Sequence, residues 1–146
     1  MSPVPYEKTP TPERSGVYIA PDSLVELRAA AARAKLAWLE LDATGACDKR
    51  DFLAACARDL QFPERFGGNW DALSDCLRDF GWRSAPGYIV RWQGDATLAR
   101  SGPDAFATAL EIFRDAANYW KERGTLFLVL LDEEPPGIDV PRLTGQ

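Results

Sequence analysis

The chain has 146 residues, of which 46% are hydrophobic and 27% are charged, and its net charge is −5. This length and composition predict one globular domain with its own hydrophobic core, and they exclude a wholly disordered chain. Because the chain has no histidine, it lacks the commonest general base and the commonest transition-metal ligand, and its negative charge opposes binding to nucleic-acid phosphates.

The N-terminal part of the chain is predicted to contain a tail, a helix and a strand. Residues 1–16 hold prolines at four positions among polar residues, which predicts a flexible tail. Apolar residues then recur at helical spacing after Asp22, which predicts an extra N-terminal helix within residues 17–35. Residues 36–42 alternate loosely between apolar and polar side chains and end at a turn, which is the pattern of a β-strand.

The middle of the chain is predicted to form two helices. Asp48 stands at the N-cap position before an apolar stripe, and this helix is predicted to end before Pro63. Gly67 and Gly68 supply a turn, and Asn69 caps a third helix predicted over residues 69–80.

The C-terminal part is predicted to contain two buried strands, with helices between them and a tail after them. Residues 88–92 are rich in aromatic and β-branched side chains, and residues 126–131 form a continuous apolar run. Between them, a short helical turn is predicted around Leu98, followed by a long helix that opens at Pro103. The acidic, proline-containing residues 132–146 predict a second flexible tail.

Three apolar strands separated by helical segments predict the fold. Continuous apolar strands of this kind belong in a parallel sheet that is covered on both faces. We therefore predict a single α/β domain over residues 17–131, in three layers, with a three-stranded parallel sheet flanked by helices.

Several functional classes are disfavoured by what the sequence lacks. Cys47, Cys56 and Cys76 follow no metal-ligand spacing, which predicts reduced thiols and a cytoplasmic location. No segment is apolar enough to span a membrane, and the N-terminus does not have the pattern of a secretion leader. No nucleotide-binding or hydrolase motif is present, so we expect no cofactor and no metal.

The third predicted helix has two faces of opposite character. Its apolar face carries Trp70, Leu73, Cys76, Leu77 and Phe80. Its opposite face carries Asp71, Asp75 and Asp79. Like charges one turn apart destabilise a helix by about 0.2–0.5 kcal/mol per pair, so this acidic stripe favours a functional explanation. In the alternative interpretation the stripe is an ordinary solvated face, with Asp71 favoured by the helix dipole and Arg78 offsetting Asp75.

The segment around this helix resembles the signature of barstar-like ribonuclease inhibitors. Its sequence is Phe62-Pro-Glu-Arg-Phe-Gly-Gly-Asn-Trp-Asp-Ala-Leu-Ser-Asp-Cys-Leu77. A proline-containing turn, an aromatic–Gly pair and an Asn precede Asp-Ala-Leu-x-Asp-Cys-Leu, as in that family. Similar order and spacing continue through residues 86–92, residues 112–115 and the final strand, so the resemblance covers about 36–131.

The resemblance implies a fold and a function. It implies a three-stranded parallel sheet with helices, and a protein that plugs the active site of a basic secreted ribonuclease. In this family Asp75 would be the central residue that reaches the phosphate site, with Asp71 as its companion and Asp115 as an acidic contact from a later helix. The other candidate partner-binding residues are Asn69, Arg65, Ser74, Arg78 and Phe80.

Two positions depart from the family pattern. Arg65 stands where the family has an aromatic contact residue, and Ser74 stands where it has a tryptophan. Because the chain has extra residues at 81–87, Phe80 and Trp82 are alternatives for a further aromatic contact. These departures predict a partner whose surface differs from that of the family's usual partner.

Three hypotheses for function follow. The first is a stoichiometric inhibitor, not an enzyme, of a basic ribonuclease or nuclease toxin, expected as a cytoplasmic monomer that binds neither nucleic acid nor membrane. The second is an interaction module of the same fold whose partner is not a nuclease. The third is an enzyme that uses Asp71 and Asp75 as an acid–base pair, which is disfavoured because helical spacing exposes both carboxylates to water.

Overall fold

The computed structural model describes residues 10–63 and 66–144. In chain order its elements, after a 3-10 turn at Pro12–Arg14, are β1 (Gly16–Ile19), α1 (Val25–Arg33), β2 (Ala37–Asp42), α2 (Lys49–Asp59), α3 (Trp70–Leu77), β3 (Gly87–Gln93), α4 (Asp95–Ser101), α5 (Pro103–Glu122) and β4 (Leu126–Leu131). The three predicted strands and the helices between them are thus confirmed, with small differences at their ends.

The sheet has four parallel strands in the order β1-β4-β3-β2, one more than the sequence predicted. The additional strand is β1, which lies on the boundary between the predicted tail and the predicted N-terminal helix. Val17 of β1 pairs with Val129 of β4, and both side chains are buried. The strand has only four residues and follows a proline-containing segment, so its alternation was too short to indicate a strand from sequence.

The order of the strands explains why helices cover both faces of the sheet. The chain crosses the whole sheet from β1 to β2 and then steps back through β3 to β4. Right-handed crossovers in opposite directions place their helices on opposite faces. Accordingly, α1 packs on one face, and α2, α3, α4 and α5 pack on the other, which confirms the predicted three layers.

The larger of the two cores lies under α2 to α5 and is rich in aromatic rings. Trp92 of β3 is fully buried, with its ring centroid 4.8 Å from that of Phe52 and 5.4 Å from those of Phe106 and Phe113. The core under α1 is smaller and is built from aliphatic side chains such as Leu27. The face of the sheet under α2 to α5 therefore holds the larger and more aromatic core.

The segment after β4 packs against the sheet, which corrects the expectation of a flexible tail over residues 132–146. Val140 joins the larger core, and Leu143 joins the smaller one. The backbone N–H of Ile19 donates to Pro141 at 2.8 Å, and the N–H of Leu143 donates to Ile19 at 2.9 Å. This segment therefore covers the open edge of β1, and that pairing could not be read from its prolines and charges. Of the two predicted tails, residues 1–9 and 145–146 lie outside the described residues.

The predicted helix caps are present. The side chain of Asp48 accepts a hydrogen bond from the N–H of Asp51 at 2.9 Å, at the start of α2. Helix α5 begins at Pro103, where its missing N–H costs nothing. The cysteines form no disulfide: Cys56 is buried, and burial raises the pKa of its thiol well above the ordinary value.

Candidate functional site: the acidic helix

Helix α3 begins with a side-chain cap, as the sequence predicts. The side-chain oxygen of Asn69 accepts a hydrogen bond from the N–H of Ala72 at 2.7 Å. Asp71 lies in the first turn, where the helix dipole favours a carboxylate. The oxygen of Asn69 is thereby committed to holding the helix, and a partner would meet its exposed amide.

The end of α3 differs from the prediction. The helix was expected over residues 69–80 but ends at Leu77, because Phe80 adopts a φ of 53°, in the left-handed region. Phe80 is only 1% exposed, and its ring stacks on that of Tyr88 at 4.5 Å. Phe80 is therefore a core residue, which corrects its assignment as a partner-binding residue. Of the two alternatives, Trp82 keeps exposed surface, and its indole N–H donates to Leu60 at 3.3 Å.

The acidic stripe is shorter than the sequence suggested. Asp71 and Asp75 are both exposed on α3, and 78% of the Asp75 side chain is accessible. Asp79 follows the helix, and its side chain accepts from the N–H of Gly81 at 3.0 Å, so it stabilises a turn. The helix therefore presents two carboxylates to solvent instead of three.

Arg78 forms an ion pair with Asp75. Its guanidinium lies 3.1 Å from the Asp75 carboxylate, and its Nε donates to the carbonyl of Ser74 at 3.2 Å. The same guanidinium lies 5.8 Å from the ring of Tyr119 on α5. The predicted offset of Asp75 by Arg78 is therefore present as an ion pair between exposed groups.

The later helix lies beside α3, as the assignment of Asp115 requires. The indole N–H of Trp120 donates to the carbonyl of Leu77 at 2.8 Å, which satisfies one of the free carbonyls at the end of α3. Asp115 is exposed on α5, one turn before Tyr119, and therefore on the same face of that helix. The Tyr119 ring that Arg78 approaches is thus one turn from Asp115. Through Arg78 and this ring, Asp75 on α3 and Asp115 on α5 border one continuous surface.

Two candidate residues remain to be placed. Ser74 is half-buried on α3, and its carbonyl accepts from Arg78. Arg65 lies outside the described residues, so its predicted position at the interface stays a prediction.

Sequence reasoning missed two features next to this helix. Between α2 and Phe66 lies a mostly apolar groove of about 330 Å³, with Lys49 and Arg50 on its rim, and Gly68 closes it just before α3. On the other side, the Arg123 guanidinium stacks 3.6 Å from the centre of the Tyr119 ring. The spacing of four residues between Tyr119 and Arg123 could have indicated this contact, whereas nothing local in the sequence indicates the groove.

What this surface can do chemically follows from its charge and its support. Leu73 and Leu77 are fully buried beneath α3, so the helix is fixed to the larger core while its two aspartates face water. Carboxylates held in this way form charge-assisted hydrogen bonds with guanidinium or ammonium groups of a partner. Within the described residues no cluster of side chains could hold a metal ion, and no helix there is long and apolar enough to cross a membrane.

One comparison with known proteins identifies a family. Residues 36–132 match the family described as Barstar (barnase inhibitor), a range that holds α3, α5 and three of the strands. No curated protein matches the chain. Among solved structures, one described as "Structure of the Aeropyrum Pernix ORC2 protein (ADPNP-ADP complexes)" is similar, with 14% identity and a TM-score of 0.49. That similarity covers 83% of this chain and 36% of that chain.

Proposed function

Because the chain belongs to the barstar (barnase inhibitor) family, we propose that it is a stoichiometric inhibitor of a basic ribonuclease or nuclease toxin. The inhibitor blocks the active site of the nuclease with helix α3 and acts in the cytoplasm of the cell that makes the nuclease. It is not an enzyme. Asp75 is the central contact, with Asp71 beside it and Asp115 reaching the partner from α5.

The observation that carries this proposal is the exposed Asp75 on a helix whose opposite face is packed into the larger core. A ribonuclease active site collects cationic groups to bind phosphates, and a carboxylate can take the place of a phosphate there. The 78% exposure of the Asp75 side chain leaves it open to such a site. The buried Leu73 and Leu77 hold the helix in place, so little conformational entropy is lost when the partner binds.

The net charge of −5 supports the same proposal. Oppositely charged proteins associate faster at low salt than neutral ones, because the long-range field steers their encounter. A basic nuclease is therefore a fitting partner, and the rate of association should fall as salt is added.

The test is a titration of a barnase-type ribonuclease with the purified chain, read by loss of ribonuclease activity and by calorimetry. We expect inhibition at one chain per nuclease. Asp75→Ala should weaken binding by about 2–5 kcal/mol, because the cation it meets would be left buried and unpaired. Asp71→Ala and Asp115→Ala should weaken it less.

Glu26→Ala is the matched control. It also removes one negative charge, from an exposed position on α1, on the opposite side of the sheet. It should change the rate of association slightly and leave the lifetime of the complex unchanged. If Asp75→Ala binds the nuclease as tightly as this control, the acidic helix is not the inhibitory surface.

A partner other than a nuclease is the second candidate, and Arg78 favours it. A guanidinium 3.1 Å from Asp75 would face the cations of a nuclease site and oppose binding. A partner that offers a carboxylate to Arg78 as well as a cation to Asp75 would fit this pair better. This second function is favoured if the chain does not inhibit a barnase-type ribonuclease and if Asp75→Ala loses binding to a different protein that the wild type binds.

A further inference from the structure

A cleft of about 640 Å³ opens on the face of the sheet that α1 covers, away from the acidic helix. Its walls are the segment after β1, the start of α1, Arg91 of β3 and Asp132 after β4. In open α/β sheets, ligands bind outside the carboxyl ends of the strands, where the strand order reverses. Here the order reverses between β1 and β4, and the cleft lies at that reversal.

Three guanidinium groups line the cleft. They come from Arg28 on α1, Arg91 on β3 and Arg142 in the segment after β4. The Nε of Arg91 is buried and has no hydrogen-bond partner among the residues that the structure describes, although it lies 3.5 Å from the Asp132 carboxylate. A buried donor without an acceptor is uncommon in folded proteins. The Nε itself is closed to a ligand, but 32% of the Arg91 side chain is exposed, so its terminal N–H groups can reach one.

The carboxylates around these arginines hold them unequally. Arg28 is hydrogen-bonded to Glu40 at 2.8 Å, and Glu40 lies 3.7 Å from Arg91. In contrast, Arg142 donates to the carbonyl of Ala20 at 2.9 Å and lies 3.9 Å from Asp22, whose side chain is fully exposed. An exposed pair at that distance contributes little, so Asp22 can turn into water at small cost. With Asp22 in place, three guanidiniums meet three carboxylates; once Asp22 turns away, one guanidinium charge is left unmatched.

We propose that this cleft binds a phosphate group, either as inorganic phosphate or on a small organic phosphate. The group takes the place of Asp22 beside Arg142 and accepts from Arg28 and Arg91. Phosphate is preferred over a carboxylate because three guanidiniums offer more N–H donors than two oxygen atoms accept. The N–H of Val25 at the start of α1 already donates to the Ser23 hydroxyl at 3.3 Å, so the helix contributes chiefly through the positive end of its dipole.

One wall of this site lies outside the residues that match the inhibitor family. Strand β1, helix α1 and Arg142 are outside the matched range, whereas Arg91 and Asp132 lie within it. The site is thus a property of the N-terminal extension docked on the family domain, and it does not depend on the proposed inhibitor function.

The test is a titration of the full chain with sodium phosphate, followed by the NMR shifts of backbone amides, with sodium chloride at matched ionic strength as the reference. We expect saturable shifts for residues 20–28 and none for α3. Arg142→Gln and Arg28→Gln should each weaken binding about tenfold or more, since each removes a charge-assisted hydrogen bond. Both side chains are more than half exposed, so these variants should fold.

Arg100→Gln, at an exposed position on α4, is the matched control and should bind phosphate like the wild type. Ribose 5-phosphate binding more tightly than phosphate would identify an organic phosphate as the ligand, and equal or weaker binding would identify free phosphate. The proposal is overturned by shifts that do not saturate, by acetate binding as tightly as phosphate, or by Arg142→Gln binding like the control. In those cases the arginines serve only to tie the extension to the domain.

Discussion

The two faces of the sheet are built by different means. Under α2 to α5, large aromatic rings such as that of Trp92 pack in a large core that supports the acidic helix. Under α1, a thinner aliphatic layer is bordered by ion pairs, and its edge is closed by backbone hydrogen bonds to the C-terminal segment. The first face therefore suits a rigid binding surface, and the second suits a cleft whose wall can adjust.

The difference also separates the part of the fold that matches the inhibitor family from the part that does not. The aromatic core lies almost wholly within the residues that match the inhibitor family, whereas β1 and α1 lie before them. Stability should therefore be unequal, with the face under α1 opening at lower free energy than the face under α2 to α5.

The largest expected effect is from Trp92→Ala, which should lower the free energy of unfolding by about 3–5 kcal/mol because it leaves a cavity among three aromatic rings. Leu27→Ala, in the thinner layer under α1, should cost about 2–3 kcal/mol, since that layer can partly collapse. Urea unfolding of both variants measures this difference. Equal losses would show that the two faces are packed alike.

Trp92→Phe is the control for this pair. It keeps most of the ring and removes an indole N–H that has no hydrogen-bond partner among the described residues. The gain from losing an unsatisfied donor should offset part of the lost contact area, so this variant should cost far less than Trp92→Ala.

Removal of residues 140–146 should lower the free energy of unfolding by about 2–4 kcal/mol. It exposes the sites of Val140 and Leu143, and it leaves the N–H and carbonyl of Ile19 without partners at the sheet edge. Leu143→Ala alone should give part of this loss. A truncated chain as stable as the full chain would show that the segment is the loose tail expected from its sequence.

Asp95 should make stability depend on pH. Its carboxylate is buried at the start of α4 and accepts from the N–H groups of Asp132 and Glu133, at 3.0 and 3.2 Å. Burial raises its pKa to about 6. The unfolded chain releases this proton near pH 4, whereas the folded protein keeps it until about pH 6. The free energy of unfolding therefore falls as the pH rises from about 4 to about 6.

Asp95→Asn should remove this dependence. Relative to that of the wild type, the free energy of unfolding of the variant should rise by on the order of 2 kcal/mol between about pH 4 and pH 6, with no further change above that range. Asp104→Asn, at an exposed position in the first turn of α5, is the control: it keeps Asp95, so its stability should fall with pH as that of the wild type does. Parallel stability curves for wild type and Asp95→Asn would contradict the buried, protonated state.

Much of the fold was predictable because its signals are local. The caps at Asp48 and Asn69, the proline that opens α5 and the apolar run of β4 each specify an element within a few residues. β1 and the packed C-terminal segment were missed because they form through each other and through β4, across more than a hundred residues. Non-local pairing of short strands leaves no periodicity in the sequence.

The candidate site shows the same limit. The exposure of Asp71 and Asp75 follows from helical spacing and could be predicted. The burial of Phe80 could not be predicted, because it depends on the left-handed φ of Phe80 itself, which turns its ring onto that of Tyr88. The contact of Arg78 with the Tyr119 ring joins two helices and likewise has no local signal.

The smallest expected effect is on the stability of the free protein when Asp75 is replaced. Asp75→Ala introduces the best helix former and relieves repulsion with Asp71, together worth about 0.5–1 kcal/mol. It also loses the exposed pair with Arg78, which contributes about 0–1 kcal/mol. The net change should be a gain of a few tenths of a kcal/mol in the free energy of unfolding, measured by urea unfolding, while partner binding is weakened.

Asp71→Ala is the matched comparison: it relieves the same repulsion but loses a favourable position in the first helical turn, so it should gain less stability. If Asp75→Ala instead destabilises the free chain by 1 kcal/mol or so, beyond what its one exposed ion pair contributes, Asp75 supports the fold and its exposure is not evidence for a binding role.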